Sequence, residues 1–156
     1  MQTLTRAALA PLLLLVLAGC ADLLGTGSGD AMQRRRLAEA RALWESRGPA
    51  SYGYVLKLSC ACVPDGSQQA VQVTVENGVA RTEYVTGGGS PSAGYAGYAS
   101  VPALFTAVDA AISRDVSVLQ VGYDPVFGYP DRLNVVYAAG NEQVVFLITE
   151  FEVHTD

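Results

Sequence analysis

Two cysteines one residue apart, in Ser59-Cys60-Ala61-Cys62, are the side chains whose types and spacing most directly invite chemistry. In an extended chain, residues two apart face the same way with their Cα atoms roughly 6.5–7 Å apart, the upper edge of disulfide reach, so joining them requires a kink at Ala61. The leading reading is a small structural disulfide in an oxidising compartment. Three others stay open: a strained, readily reduced bridge used in thiol redox chemistry, a thiolate site for copper(I) or zinc, and a pair of free buried thiols. The metal reading lacks partners, because the one histidine is His154, near the C-terminus. Nothing in the pattern ties His154 to a nucleophile or an orienting acid, so it reads as a frayed terminal residue and not a general base. Gly87-Gly88-Gly89 is not followed by the Gly-Lys-Ser/Thr of a phosphate loop and reads as flexible chain. These patterns lead us to expect no catalytic residue, no metal site and no cofactor.

Aromatic and acidic groups concentrate in Tyr123-Asp124-Pro125-Val126-Phe127-Gly128-Tyr129-Pro130. Turn chemistry accounts for them: Asp-Pro opens a turn, Gly128 supplies positive φ, and Tyr129-Pro130 re-enters extended chain. The alternative is a partner-binding rim of Tyr95, Tyr98, Asp124, Phe127 and Tyr129, since exposed tyrosines are common interface anchors. Arg34-Arg35-Arg36 reads as a solvated helix face, with contact to anionic head groups as the alternative.

The third cysteine, Cys20, ends an apolar run from Ala7 to Leu17 that follows the short positive segment Met1 to Arg6. That run is too short for a mature transmembrane helix and has the form of a signal peptide. Leu17-Ala18-Gly19-Cys20 resembles the bacterial lipoprotein signal, in which the cysteine is acylated, palmitate being one such chain, and becomes the first mature residue. The resemblance implies a protein held in the cell envelope by lipid at Cys20, facing the periplasm or exterior. Ala21 rather than Asp after the cysteine leans toward the outer membrane. Assigning Cys20 to lipid leaves Cys60 and Cys62 as a natural pair. Removing residues 1–19 leaves 137 of the 156, one domain's worth after a tether, with nine cations against fifteen carboxylates. That acidic balance argues against nucleic acid as a partner.

The elements that position these groups follow from pattern. Residues 20–30 are rich in Gly, Ser and Thr and read as a lipidated cysteine with a flexible tether. Asp30 can then cap a helix from Ala31 to about Arg47, with Leu37, Ala40, Leu43 and Trp44 on one face, ended by Gly48-Pro49. Alternation predicts a strand over Ser51–Ser59, and Asn77-Gly78 predicts a hairpin joining Ala70–Glu76 to Val79–Val85. Residues Thr86–Ser100 form a long Gly/Ser-rich loop. Ser100 caps a second helix, Val101 to about Arg114, and strands follow at Val116–Tyr123, Arg132–Ala138 and Gln143–Val153. This is an α+β domain over residues 31–156: an antiparallel sheet with two helices packed on one face. Helix plus three strands occurs twice, which raises a duplicated αβββ unit, although the residues themselves repeat poorly.

Trp44, the first-strand tyrosines, Cys60-Ala61-Cys62, Asn77-Gly78, Leu104-Phe105 and Tyr123-Asp124-Pro125 with Gly128-Tyr129-Pro130 together resemble the domain of unknown function family numbered 6174. The resemblance covers about Leu37 to Val153 and implies no activity. The element order is also similar to that of β-lactamase-inhibitor-type domains and small outer-membrane assembly lipoproteins, an analogy of fold alone. The expectation is a non-enzymatic, lipid-anchored envelope protein that binds another envelope protein or a small ligand. A thiol-redox or metal-handling protein using Cys60 and Cys62 is the alternative.

Overall fold

A computed structural model of the protein describes residues 27–63, 69–140 and 142–154. Cys20, the segment before it and the tether through residue 26 lie outside the described residues. The first helix, α1, spans Gly27–Arg47 and so begins four residues before the expected start. Asp30 is therefore not its cap but lies in its first turn, where the carboxylate still meets the positive helix end. A first turn has no intrahelical N–H bonds to make, so Gly-Ser-Gly-Asp enters it at little cost despite reading as spacer. Leu37 and Ala40 are buried, and Trp44 packs edge-on to Tyr52 with ring centroids 5.2 Å apart.

Three strands follow: β1 (Tyr52–Ser59), β2 (Ala70–Glu76) and β3 (Val79–Tyr84). The Asn77-Gly78 turn takes φ of 50° and 80° and sets Glu76 opposite Val79, the register the two-residue turn requires. Within the expected loop a 3-10 helix forms at Ala93–Tyr98, and it brings Tyr95 into the core. Helix α2 (Val101–Ile112) is capped by Ser100, whose hydroxyl accepts from the Ala103 amide, and buries Leu104, Phe105 and Val108. The chain closes with β4 (Val116–Tyr123), β5 (Pro130–Tyr137) and β6 (Gln143–Val153). None of the described helices is long and apolar enough to cross a membrane.

The six strands make one antiparallel sheet in the order β3-β2-β1-β6-β5-β4. Both helices lie on the face carrying Tyr52: Trp44 of α1 packs against its ring, and the Val101 amide at the start of α2 donates to its hydroxyl at 3.0 Å. The αβββ order thus occurs twice, but the two units differ in hand. Each steps across the sheet in the same direction, while β4 runs opposite to β1 through the antiparallel chain β4-β5-β6-β1. With the helices on a common face, no rotation superposes one unit on the other.

The core fills the space between the helices and the inward residues of the strands, as in Tyr54, Leu56, Val73, Leu133 and Phe146, with the edge strands β3 and β4 adding only partly buried side chains such as Tyr84 and Leu119. The pairing shifts register twice between β4 and β5, at Val116/Val118 and Gly122/Tyr123, and once on the β1–β6 seam. Between the pairs Val55↔Thr149 and Gly53↔Glu152, β6 carries two residues opposite the single Tyr54, and Glu150 takes φ 53°. This bulge turns Phe151 inward, where its ring stacks on Tyr129 at 4.3 Å and on Tyr52 at 5.6 Å.

Candidate functional site

The Cys-x-Cys segment leaves β1 as a tight turn in which the Val63 amide donates to the Cys60 carbonyl at 3.3 Å. The kink brings the Cα atoms to 5.1 Å, inside disulfide range, and the two sulfurs into bonding contact. Cys60 is buried and Cys62 exposed. The Cys62 carbonyl lies against Gly94 of the 3-10 helix so closely that no Cβ would fit there. The pair therefore shapes the turn on which that helix sits. Among the described residues no group of three His, Cys, Asp or Glu side chains is placed to hold a metal ion. His154 is not frayed: its amide donates to the Ser51 carbonyl at 3.0 Å, and its ring lies over Gly53.

The Tyr123–Pro130 segment closes the β4–β5 connection by turn chemistry. One Asp124 carboxylate oxygen accepts from the Val126 and Phe127 amides at 2.9 and 2.7 Å, and the Asp124 amide donates to the Tyr129 carbonyl at 2.9 Å. Gly128 takes φ 82° and presses on the Ala40 carbonyl and the Leu43 Cβ of α1, so it serves both conformation and close approach. Tyr129 is driven into an aromatic cluster with Trp44, Tyr52 and Phe151.

The rim proposed from sequence does not assemble. Tyr95 and Tyr129 are only 1% and 8% exposed, because burying their rings outweighs leaving them at the surface. Tyr95 packs on Tyr84 and Tyr98 on Phe146, whereas Phe127 joins Phe151. Asp124 spends its carboxylate on backbone amides. Phenols do contribute locally, since Tyr54 donates to the Tyr98 carbonyl at 2.7 Å and so pins the 3-10 helix to β1.

Beside this turn, a shallow cleft runs between α1 and β4, lined by Arg36, Glu39, Leu43, Tyr123, Asp124 and Gly128. The Tyr123 hydroxyl is buried there without a hydrogen-bond partner among the described residues. Desolvation pushes it up to about 12, opposed by the nearby guanidinium groups of Arg36 and Arg41. Tyr129 is likewise pushed up to about 12, first by desolvation and then by the Asp124 and Asp131 charges.

Among the described residues no helix lies on the opposite sheet face. Strand registers arrange it in cross-strand rows. In the central row Lys57 stands opposite Leu147 and Leu147 opposite Arg132, and Arg132 in turn faces Gly122. Leu147 is 42% exposed. The Arg132 side chain lies across Gly122, where a Cβ would come within 2.8 Å of its Cγ. Asp131 sits beside it, with 3.3 Å between Nε and Oδ1, while Lys57 has no ion pair among the described residues. In the next row Ser59, Val145, Asn134 and Gln120 follow one another. An amide ladder crosses here: Asn134 donates to Gln120 at 3.4 Å and accepts from Gln143 at 2.9 Å. Val118, opposite Val136, is 37% exposed.

A family model described as a family of unknown function (DUF6174) matches residues 36–153. The chain belongs to the DUF6174 family. No curated protein matches it. The DUF6174 match begins within α1 and takes in both helices' packing faces, all six strands, the Cys pair and the Tyr123–Pro130 turn. Within this DUF6174 domain, the residues most conspicuous in sequence are thus architectural. The exposed row around Lys57, Leu147 and Arg132 escaped sequence reading. Its signal was faint: a lone lysine and a leucine at outward positions of strands otherwise alternating regularly.

Proposed function

We propose that this is a lipid-anchored envelope protein whose α+β domain is a non-enzymatic binding module, and that it engages another envelope protein through the uncovered sheet face. The observation that carries the reading is the row Lys57–Leu147–Arg132, an exposed apolar side chain between two cations on a hydrogen-bonded, rigid sheet. Apolar contact supplies affinity at the centre of such a patch, and flanking charges select the partner and speed encounter. The complementary partner presents an apolar patch bordered by carboxylates. The amide ladder beside the row adds donors and acceptors that suit polar backbone or side-chain groups at the edge of the contact.

The test places a photo-crosslinking residue at position 147 of the full chain in intact cells, with position 42 on the exposed side of α1 as the comparison. The reading expects one protein captured from 147 and absent from 42, and its capture abolished by Lys57→Glu with Arg132→Glu. Equal capture from both positions, or none from 147, overturns it. Acyl labelling that persists in Cys20→Ser would refute the anchor.

A further inference from the structure

Charge is divided unevenly along this chain. Helix α1 carries five arginines, Arg34, Arg35, Arg36, Arg41 and Arg47, against Asp30, Glu39 and Glu45, whereas residues 48–156 hold four cations against eleven carboxylates. All five arginines are exposed. Of the other exposed positions on this helix, Ala31, Ala38, Ala42 and Ser46 are short, while Met32, Glu39 and Glu45 are long. The neighbouring helix α2 adds a single charge to this layer, Asp109. Two arginines are partly occupied: Arg35 Nε lies 2.8 Å from Glu39 with both side chains solvated, and the Arg41 guanidinium stands 5.5 Å above the Phe105 ring.

We infer that α1 rests on the anionic surface of the membrane, with Arg34, Arg35 and Arg36 at head-group level and the uncovered sheet face turned away from the bilayer. This rests on the lipid-anchor reading of Cys20. Only seven residue steps separate Cys20 from Gly27, at most about 25 Å of chain, and Arg34 lies a further seven positions on, roughly 10 Å along the helix. The anchor therefore keeps the basic turn within about 35 Å of the surface, and within a Debye length of about 8–10 Å the attraction itself holds it there. Each arginine there strengthens surface association roughly fivefold. The acidic remainder of the chain is repelled by the same surface, so the two contributions favour a single orientation. The sheet face proposed to meet a partner is the face directed outward in that orientation.

The test uses the full mature chain with an environment-sensitive fluorophore at Ala38→Cys, or at Ser117→Cys on the exposed edge strand. It is attached to vesicles in two ways: through its own lipid, and, with Cys20→Ser, through an N-terminal hexahistidine tag on nickel-chelating lipid. On vesicles containing phosphatidylglycerol the Ala38 probe shifts to the blue in both attachments and the Ser117 probe does not. The shift disappears on phosphatidylcholine alone, in 0.5 M salt, and in Arg34→Gln/Arg35→Gln/Arg36→Gln, exposed changes that leave the circular dichroism spectrum unaltered. An Ala38 probe indifferent to lipid charge in the tag-tethered arm overturns the inference. A mature chain that carries no acyl group overturns the anchor reading instead, whatever the tethered arm shows.

Discussion

The β6 bulge offers the sharpest test of how this fold is held. Glu150 takes φ 53°, a region that costs a residue with a side chain about 1–2 kcal/mol relative to glycine. Glycine gives back roughly 0.5–1 kcal/mol through its freer unfolded chain, so Glu150→Gly should stabilise by about 0.5–1 kcal/mol. Asparagine, which tolerates this region, should also stabilise, whereas β-branched valine should destabilise by about 1 kcal/mol or more. Deletion separates bulge from strand. Removing Glu150 leaves Phe151 directly after Thr149, inward and opposite Tyr54, so the fold should survive within about 1 kcal/mol. Removing Leu147 shifts parity and must expose either Val144 and Phe146 or Ile148 and Phe151, a loss above about 5 kcal/mol that should abolish folding. Urea unfolding followed by the fluorescence of Trp44, the one tryptophan and a neighbour of Phe151, reads all five variants. With a slope near 2 kcal/mol per molar urea, Glu150→Gly moves the midpoint up by about 0.3 M. Equal stability of valine and wild type, or equal tolerance of the two deletions, would refute the reasoning.

Tyr123→Phe removes a buried hydroxyl that has no partner among the described residues, so stability should be unchanged or rise by about 1 kcal/mol; a loss of that size in urea titrations would reveal a bond partner. Six of the eight tyrosines, Tyr52, Tyr54, Tyr95, Tyr98, Tyr123 and Tyr129, are shifted upward mainly by desolvation. The folded state keeps these protons longer than the unfolded state, so their stabilising effect is complete below pH 10 and is lost as pH rises from 10 through about 12. Phenolate absorbance near 295 nm should accordingly lag behind that of the urea-unfolded chain. Replacing Cys60 and Cys62 by serine opens a ring of only three residues and should cost about 1.5 kcal/mol, measured in urea with and without reductant. If mild reductant opened the pair with no loss of stability, the bridge would have no structural value and thiol redox chemistry would become the better reading.

The elements were legible because each signal was local: Asn77-Gly78 sets the hairpin register, Ser100 caps α2, and alternation marks the strands. The Tyr123–Pro130 turn was also legible, because Asp124 and Gly128 each have one conformational use there. Three features were hidden for different reasons. The start of α1 at Gly27 has no propensity signal, since a first turn asks little of its residues. The burial of Tyr95 depends on a 3-10 helix held by contacts from distant segments, Tyr54 to the Tyr98 carbonyl and Tyr95 to the Gln69 carbonyl. The bulge did leave a mark: inward Val144, Phe146 and Ile148 keep even spacing, and the next large aromatic, Phe151, falls three residues on. A strand that must bury both 148 and 151 needs one extra residue between them.

That extra residue lies where the two αβββ units meet, on the β1–β6 seam. Because the units are of opposite hand, their joining cannot repeat contacts made within either one, and the seam must be built from its own side chains. It is built from aromatic rings: Tyr52 of the first unit stacks on Phe151 of the second, Trp44 meets both edge-on, and Tyr129 closes the stack. The Tyr52 hydroxyl accepts from the first amide of α2, so the same ring that joins the sheets also fixes the second helix. Such edge-on and stacked pairs contribute roughly 0.5–1.5 kcal/mol each beyond burial, enough for the cluster to set how the units are oriented. The Tyr123–Pro130 segment delivers Tyr129 to this stack. The same segment brings Gly128 against Ala40 and Leu43 of α1, so the turn, the seam and the basic helix pack together on the helix-bearing side of the sheet.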